Sequence, residues 1–182
     1  MPTLTENNQL GGQELRRVVY TEDQIRARVA AMGRDISEAF TADDRLLVLG
    51  LLKGSLLFVA DLVRAIDLPL HVDFLLASSY GEEKVSSGEL RLLYTPEASF
   101  QDRAVVVVED IVDSGNTLKR LLPDLDARNP SSLDVCTLLH KRLVEMEPEP
   151  RWVGFDAPNE FLVGYGLDYA EDFRHLPYIA SL

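Results

Sequence analysis

Residues 105 to 118 read VVVVEDIVDSGNTL and set two opposed chemistries side by side. A Ser-Gly-Asn-Thr turn entering a helix offers free backbone N–H groups and the hydroxyls of Ser114 and Thr117. Gly115 there accepts a positive φ and a close backbone approach, so the turn suits a terminal phosphate. Glu109, Asp110 and Asp113 stand beside it, where they repel an anion. Taken alone, the turn is read equally well as a helix cap supplied by Asp113 or Ser114. The adjacent pair shifts that balance, because two carboxylates ending a four-valine run gain nothing from burial and repel each other. They make sense beside Mg²⁺ or sugar hydroxyls, and phosphate, vicinal hydroxyls and metal together describe a phosphorylated ribose. The turn is not a Walker A loop, since GxxxxGK[ST] is absent and no lysine lies inside it. Nor is GYGLDY, residues 164 to 169, a dinucleotide fingerprint, because Tyr169 stands where the third glycine belongs.

Such residues need elements to position them. RLLVLGLL, AVVVVED and SLDVCTLLHK are short continuous apolar runs, the pattern of strands buried on both faces. HVDFLLASSY and ELRLLYT read as two more strands, separated by the polar, Gly-containing GEEKVSSG, a candidate mobile loop. Between these runs lie helix patterns. Thr21 and Gln24 form a capping box, with Tyr20 and Ile25 placed for a hydrophobic staple. Ile25, Val29, Met32, Ile36 and Phe40 make one stripe. LLFVADLVRAI suits a helix closed near Pro69, and Leu118, Leu121, Leu122 and Leu125 mark one face of another, bounded by Pro130. RWVGFDA and FLVGYGL read as shorter strands and loops. Strand and helix alternate, which argues for one α/β domain over residues 1–182 with a mostly parallel sheet flanked by helices, and a loose arm over residues 1–14. Ligands of such sheets sit at the carboxyl ends of the strands. Those tips carry Lys53-Gly54, Ser79-Tyr80, Glu109 to Thr117, and His140-Lys141-Arg142.

The formal net charge of −12 argues against a general nucleic-acid surface, which needs clustered Lys and Arg. The single cysteine, Cys136, excludes an internal disulfide and a cysteine-rich zinc site, and it reads as a small buried hydrophobe. The three histidines have no metal-ligand spacing. No apolar segment reaches 18 residues and MPTLTENNQLGGQ has no basic flank, so neither a membrane span nor a signal peptide is expected, and a cytoplasmic location is.

The apolar run, the acidic pair and DSGNT closely resemble the phosphoribosyl-pyrophosphate (PRPP) signature of type I phosphoribosyltransferases. LKGS at 52–55, SSYG at 78–81, LLHKR at 138–142 and FLVGYGLDYAEDFRHLPYI at 161–179 resemble, in family order, the hypoxanthine and hypoxanthine-guanine members. These blocks span about residues 45 to 180. The resemblance implies a small hood built from the N- and C-terminal segments, and transfer of the 5-phosphoribosyl group from PRPP to hypoxanthine or guanine, with Mg²⁺ as cofactor. It implies that Asp113, Ser114, Gly115, Asn116 and Thr117 hold the 5′-phosphate, and that Asp113 is the general base near the purine N7. Glu109 and Asp110 take the ribose hydroxyls and, with Asp168, the metal. Lys53, Gly54 and Arg174 meet pyrophosphate, with a cis peptide expected before Lys53. Lys141, Phe161, the backbone of Leu162, and Asp168 surround the purine, Lys141 donating to O6 and Phe161 stacking. Ser79 and Tyr80 begin a closing loop. Relatives imply a homodimer or homotetramer. Asn116 stands where some relatives carry a charged residue, which weakens side-chain help for the phosphate.

Read without that resemblance, Lys141 and Arg142 are solvated strand-end charges, Phe161 is core and Arg174 is surface. Two rival functions fit the same scaffold: a xanthine or adenine preference, or a nucleotide-sensing regulator. Lys141 argues against adenine, since an ammonium donor suits a 6-carbonyl and opposes a 6-amino group.

Overall fold

The structure, a computed structural model, describes residues 13–79, 90–94, 96, 98–143 and 147–182. Strand β1 (Arg17–Tyr20) leads into helix α1 (Glu22–Ala39), whose start is fixed by the expected capping box. Thr21 N–H donates to Gln24 Oε1 at 2.9 Å, and Gln24 N–H donates back to Thr21 Oγ1 at 3.3 Å. Ile25, Val29, Met32 and Ile36 are buried, each contributing about 1.5–3 kcal/mol by leaving water. The fifth residue of the stripe, Phe40, lies beyond the helix as its extended C-cap and packs at a tilt against Trp152.

The remaining elements are β2 (Leu47–Leu52), α2 (Leu56–Ala65), β3 (His71–Ser79), β4 (Leu90–Tyr94), β5 (Ala104–Val112), α3 (Asn116–Asp126), β6 (Ser132–His140), β7 (Trp152–Asp156), β8 (Leu162–Val163) and β9 (Ile179–Ser181). Six strands form one sheet in the order β4-β3-β2-β5-β6-β7. All its pairings are parallel except β3 with the edge strand β4. Val48, Val106 and Val108 face α1 and α2, whereas Leu47, Leu49, Val105 and Val107 face α3 and its four leucines. Burial on both faces is why these strands read as continuous apolar runs. Helix α3 ends four residues before Pro130 and contains Pro123, which the leucine stripe does not reveal.

The sheet order places the topological switch point between β2 and β5, because the chain winds outward to β3 from one and to β6 from the other. That crevice is where ligands of open α/β sheets bind. A second, three-stranded antiparallel sheet, β1-β9-β8, joins the N-terminal strand to the C-terminal ones and forms the hood that the sequence resemblance implies. Its small core holds Val163, Phe173 and Leu176. Cys136 is buried, as its apolar surroundings in the sequence imply, and burial raises its thiol pKa. Among the described residues no helix is long and apolar enough to cross a membrane.

Candidate active site

Three chain segments converge at the switch point. Strand β2 ends in a cis peptide between Leu52 and Lys53, which the sequence resemblance implies. Gly54 follows, and its backbone lies against the Asp110 carboxylate at the end of β5. A Cβ on Gly54 falls 1.8 Å from Asp110 Oδ2, so a larger residue there must push that carboxylate aside. From the other side, a Cβ on Gly166 in the hood falls 2.0 Å from the Gly54 carbonyl oxygen, and Gly166 also has φ +100°. The hood thus meets the β2 tip backbone to backbone through two glycines, and the β2 tip meets β5 through the Asp110 carboxylate.

Arg174 ties this stack together. Its Nη1 donates to the Gly166 carbonyl at 2.8 Å, and its Nη2 lies 2.8 Å from Asp168 Oδ1 and 3.3 Å from Glu171 Oε2. Lys53 Nζ reaches the same Glu171 oxygen at 3.1 Å. Lys53 and Arg174, far apart in sequence, therefore share one carboxylate oxygen. Arg174 is no free surface residue. Glu171 is absent from the residues picked out by sequence, although the spacing of Asp168, Glu171 and Arg174 by threes is a signal that could have found it.

The adjacent pair Glu109 and Asp110 divides between two environments, as successive strand residues do. Asp110 faces Gly54 and feels Arg174 and Asp168. Burial pushes its carboxyl up to about 6 against the pull of its own and Ile111's backbone amides and of the Arg174 guanidinium. Glu109 is buried, with its register partner Thr137 beside it on β6, and burial and the Asp110 charge push its carboxyl up to about 8. The two carboxyls are thus held as weak acids lacking a sufficient cationic partner.

The phosphate-type turn closes the β5 end. Gly115 takes φ +68° and is the N-cap of α3, with no side-chain capping hydrogen bond. Asp113 and Ser114 thus do not cap this helix; Ser114 Oγ receives only a long contact, 3.5 Å, from the Asn116 N–H. No acidic residue occupies the first turn. The amides at the start of α3 keep their donors for an anion, reinforced by the helix dipole.

Beyond the turn, Lys141 follows β6 and donates to Asp113 Oδ2 at 2.9 Å, its side chain only 10% exposed. A solvated strand-end charge does not look like this. Arg142 does, pairing with Asp156 and Glu149 at the surface. Phe161 is 54% exposed and meets Tyr169 edge-on, which contradicts a core position and leaves part of the ring open to solvent. Leu162 opens β8, buried, with its backbone in register with Ser181 of β9. Ser79 is the last residue of β3 and pairs with Leu90 of β4. Tyr80 lies outside the described residues. The histidines stay apart: His71 lies beside Arg103 at the amino end of β3, and His140 is buried at the end of β6. His175 lines a groove of about 620 Å³ between α1, α2 and the hood, whose lining includes none of Lys53, Glu109, Asp110, Asp113, Lys141, Asp168 or Arg174.

Among the described residues no three His, Cys, Asp or Glu side chains are grouped to hold a metal by themselves. An all-oxygen set with few carboxylates nevertheless suits Mg²⁺, which takes one or two carboxylates and completes its shell with substrate phosphates and water. Asp110 meets that need directly. Asp168 suits a water-mediated role, since Oδ1 is held by Arg174 and Oδ2 accepts the Glu171 backbone N–H at 2.9 Å.

A parallel sheet with an anion turn after β5, an acidic strand end beside it and a hood carrying Arg174 defines a phosphoribosyltransferase, and the chain belongs to that family: the model of the phosphoribosyl transferase domain matches residues 19–170. Among curated relatives, the hypoxanthine-guanine phosphoribosyltransferase of Dictyostelium discoideum is 43% identical, covering 92% of this chain and 95% of that protein. The hypoxanthine phosphoribosyltransferase of Salmonella typhimurium is 42% identical, covering 91% and 94%. The crystal structure of a hypoxanthine phosphoribosyltransferase from Staphylococcus aureus superposes with TM-score 0.86 at 36% identity, covering 96% of this chain and 97% of that one.

Proposed function

We propose that this enzyme transfers the 5-phosphoribosyl group of PRPP to hypoxanthine or guanine, a purine salvage reaction yielding IMP or GMP and pyrophosphate. The observation that carries the reading is the Lys141–Asp113 pair, a donor and an acceptor 2.9 Å apart beside the α3 amides. One edge of a free 6-oxopurine offers the complement, an acceptor at O6 and an adjacent N7–H. Lys141 holds O6, and Asp113 receives the N7 proton as N9 attacks the anomeric carbon. Phe161 supports a stacked ring, and the backbone of Leu162 reads its far edge.

The amides at residues 113–117 and the hydroxyls of Ser114 and Thr117 hold the 5′-phosphate, which no bond change touches. Displacement occurs at the anomeric carbon through a transition state resembling a ribose oxocarbenium ion. Glu109 and Asp110 accept hydrogen bonds from the ribose hydroxyls, and Lys53, the Gly54 backbone and Arg174 receive the departing pyrophosphate. Asp110 with Glu109, and Asp168 through water, would hold Mg²⁺, which when bound would supply positive charge against that leaving group. Ser79 and Tyr80 mark the segment that excludes water during the reaction. A cytoplasmic homodimer or homotetramer completes the reading.

Turnover of PRPP with hypoxanthine, guanine, xanthine and adenine, each with Mg²⁺ and with excess chelator, tests it. Hypoxanthine or guanine is expected to react only with the metal. Adenine, which sets a 6-amino donor against the Lys141 donor, is expected to have kcat/KM lower by about 10³-fold or more. Comparable adenine turnover, or full activity under chelation, defeats the reading.

A further inference from the structure

The carboxylate of Glu171 lies where two cations converge. A single oxygen, Oε2, accepts from Lys53 Nζ at 3.1 Å and lies 3.3 Å from Arg174 Nη2. These are the two side chains assigned above to pyrophosphate, and the reaction gives Glu171 itself no task. The placement is built by the backbone. Ala170 and Glu171 both adopt left-handed conformations, φ +51° and +69°, a region non-glycine residues enter only when held there. The hold is visible: the Glu171 N–H donates to Asp168 Oδ2, and the Tyr169 and Asp172 backbones bond to each other across the bend. The two cations keep the Glu171 carboxyl below its ordinary range, Lys53 contributing most.

We infer that Glu171 is an internal anion that occupies the pyrophosphate position between Lys53 and Arg174 and is displaced when pyrophosphate, free or as the leaving end of PRPP, binds there. The inference rests on the assignment of those two cations to pyrophosphate. A tethered carboxylate keeps the cations aligned, and it competes with the product, so the phosphate-rich end of the site is held less tightly than its charge alone dictates. The Glu171 side chain is 66% exposed and Lys53 59%, so each ion pair is a modest one. Breaking both ion pairs to admit pyrophosphate lowers its affinity by about three- to tenfold.

Calorimetric titration of the full chain with pyrophosphate in excess Mg²⁺, and separately with IMP, provides the test. Glu171→Gln is expected to tighten pyrophosphate binding about three- to tenfold while leaving IMP within about twofold, because the IMP phosphate sits at residues 113–117. Unchanged or weaker pyrophosphate binding overturns the inference, as does a parallel change in both ligands, which marks a merely structural role. Lys53→Ala and Arg174→Ala separate the two levels of the argument. If both lose pyrophosphate while retaining IMP and Glu171→Gln is unchanged, only the role of Glu171 fails. If both bind pyrophosphate like the parent protein, the assignment of the cations falls, and the inference with it.

Discussion

Glu109→Gln removes one buried titratable carboxyl at nearly constant shape, and its consequence for stability follows from where that carboxyl sits. In the unfolded chain the carboxyl ionises near 4.5, whereas burial at the end of β5 and the neighbouring Asp110 push it up to about 8 in the fold. Between those values the folded protein holds a proton that the unfolded chain has released, so stability falls as pH rises through the interval. Below 4.5 both states are protonated and no stability is forfeited; above about 8 both are ionised and the effect is complete. Each pH unit inside the window costs about 1.4 kcal/mol, and the whole about 5 kcal/mol. Asp110 acts in the same direction, but from its ordinary 3.8 only up to about 6. His140, its imidazole pKa lowered chiefly by burial, acts oppositely, losing stability as pH falls below 6.5. Between about pH 6.5 and 8 the slope therefore belongs mainly to Glu109 and amounts to about 2 kcal/mol.

Urea denaturation at fixed ionic strength with chelator present, at about pH 6.5, 7, 7.5 and 8, measures it. The parent protein is expected to lose about 2 kcal/mol across that range and Glu109→Gln to lose almost none. A buried amide lacking partners lowers the absolute stability of the variant by about 1–3 kcal/mol, but equally at each pH, so the difference in slope is the readout. Asp110 and His140 are present in both proteins and cancel to first order. Equal slopes for the two would refute the claim that the fold holds Glu109 as a weak acid.

Asp113→Asn keeps an acceptor beside Lys141 but cannot take a proton, so kcat is expected to fall about 10²- to 10⁴-fold with PRPP affinity retained; a kcat near that of the parent, with chemistry shown to be rate-limiting, removes Asp113 from the role of base. Gly166→Ala sets a Cβ 2.0 Å from the Gly54 carbonyl oxygen at a backbone φ of +100°. It is expected to destabilise by about 1–3 kcal/mol and to weaken pyrophosphate more than IMP, whereas an unperturbed melting temperature and affinity show that the stack can open at no cost.

The parts of this protein legible in its sequence are those governed by local rules. Doubly buried strands announce themselves as Val and Leu runs, the Thr21–Gln24 cap as a spacing of three, and the α3 face as four leucines. The tips of the parallel strands then follow from the alternation of strand and helix, which is why Lys53, Asp110, Asp113 and Lys141 can be picked out before any fold is known. What cannot be read locally is how those tips meet. The separation of Glu109 from Asp110 depends on a pleat, the closeness of Lys141 and Asp113 on the register of β5 with β6, and the Gly54–Gly166 approach on a hood made from opposite ends of the chain.

Phe40 and Glu171 show the same limit from two sides. Phe40 keeps the helical spacing but is captured by Trp152, a residue far along the chain, and leaves the helix. Glu171 reads as one acidic residue among several in DYAEDFR, and only a left-handed turn aims its carboxylate at Lys53. In each case a neighbour distant in sequence overrides a local pattern. A phosphoribosyl site concentrates such neighbours, because its ligand must be touched at phosphate, sugar, base and pyrophosphate at once. No single segment spans that length, so the Ser114–Thr117 turn, which one segment supplies, is legible early, while the proposed pyrophosphate end, built from β2, β5 and the hood, takes shape only in the fold.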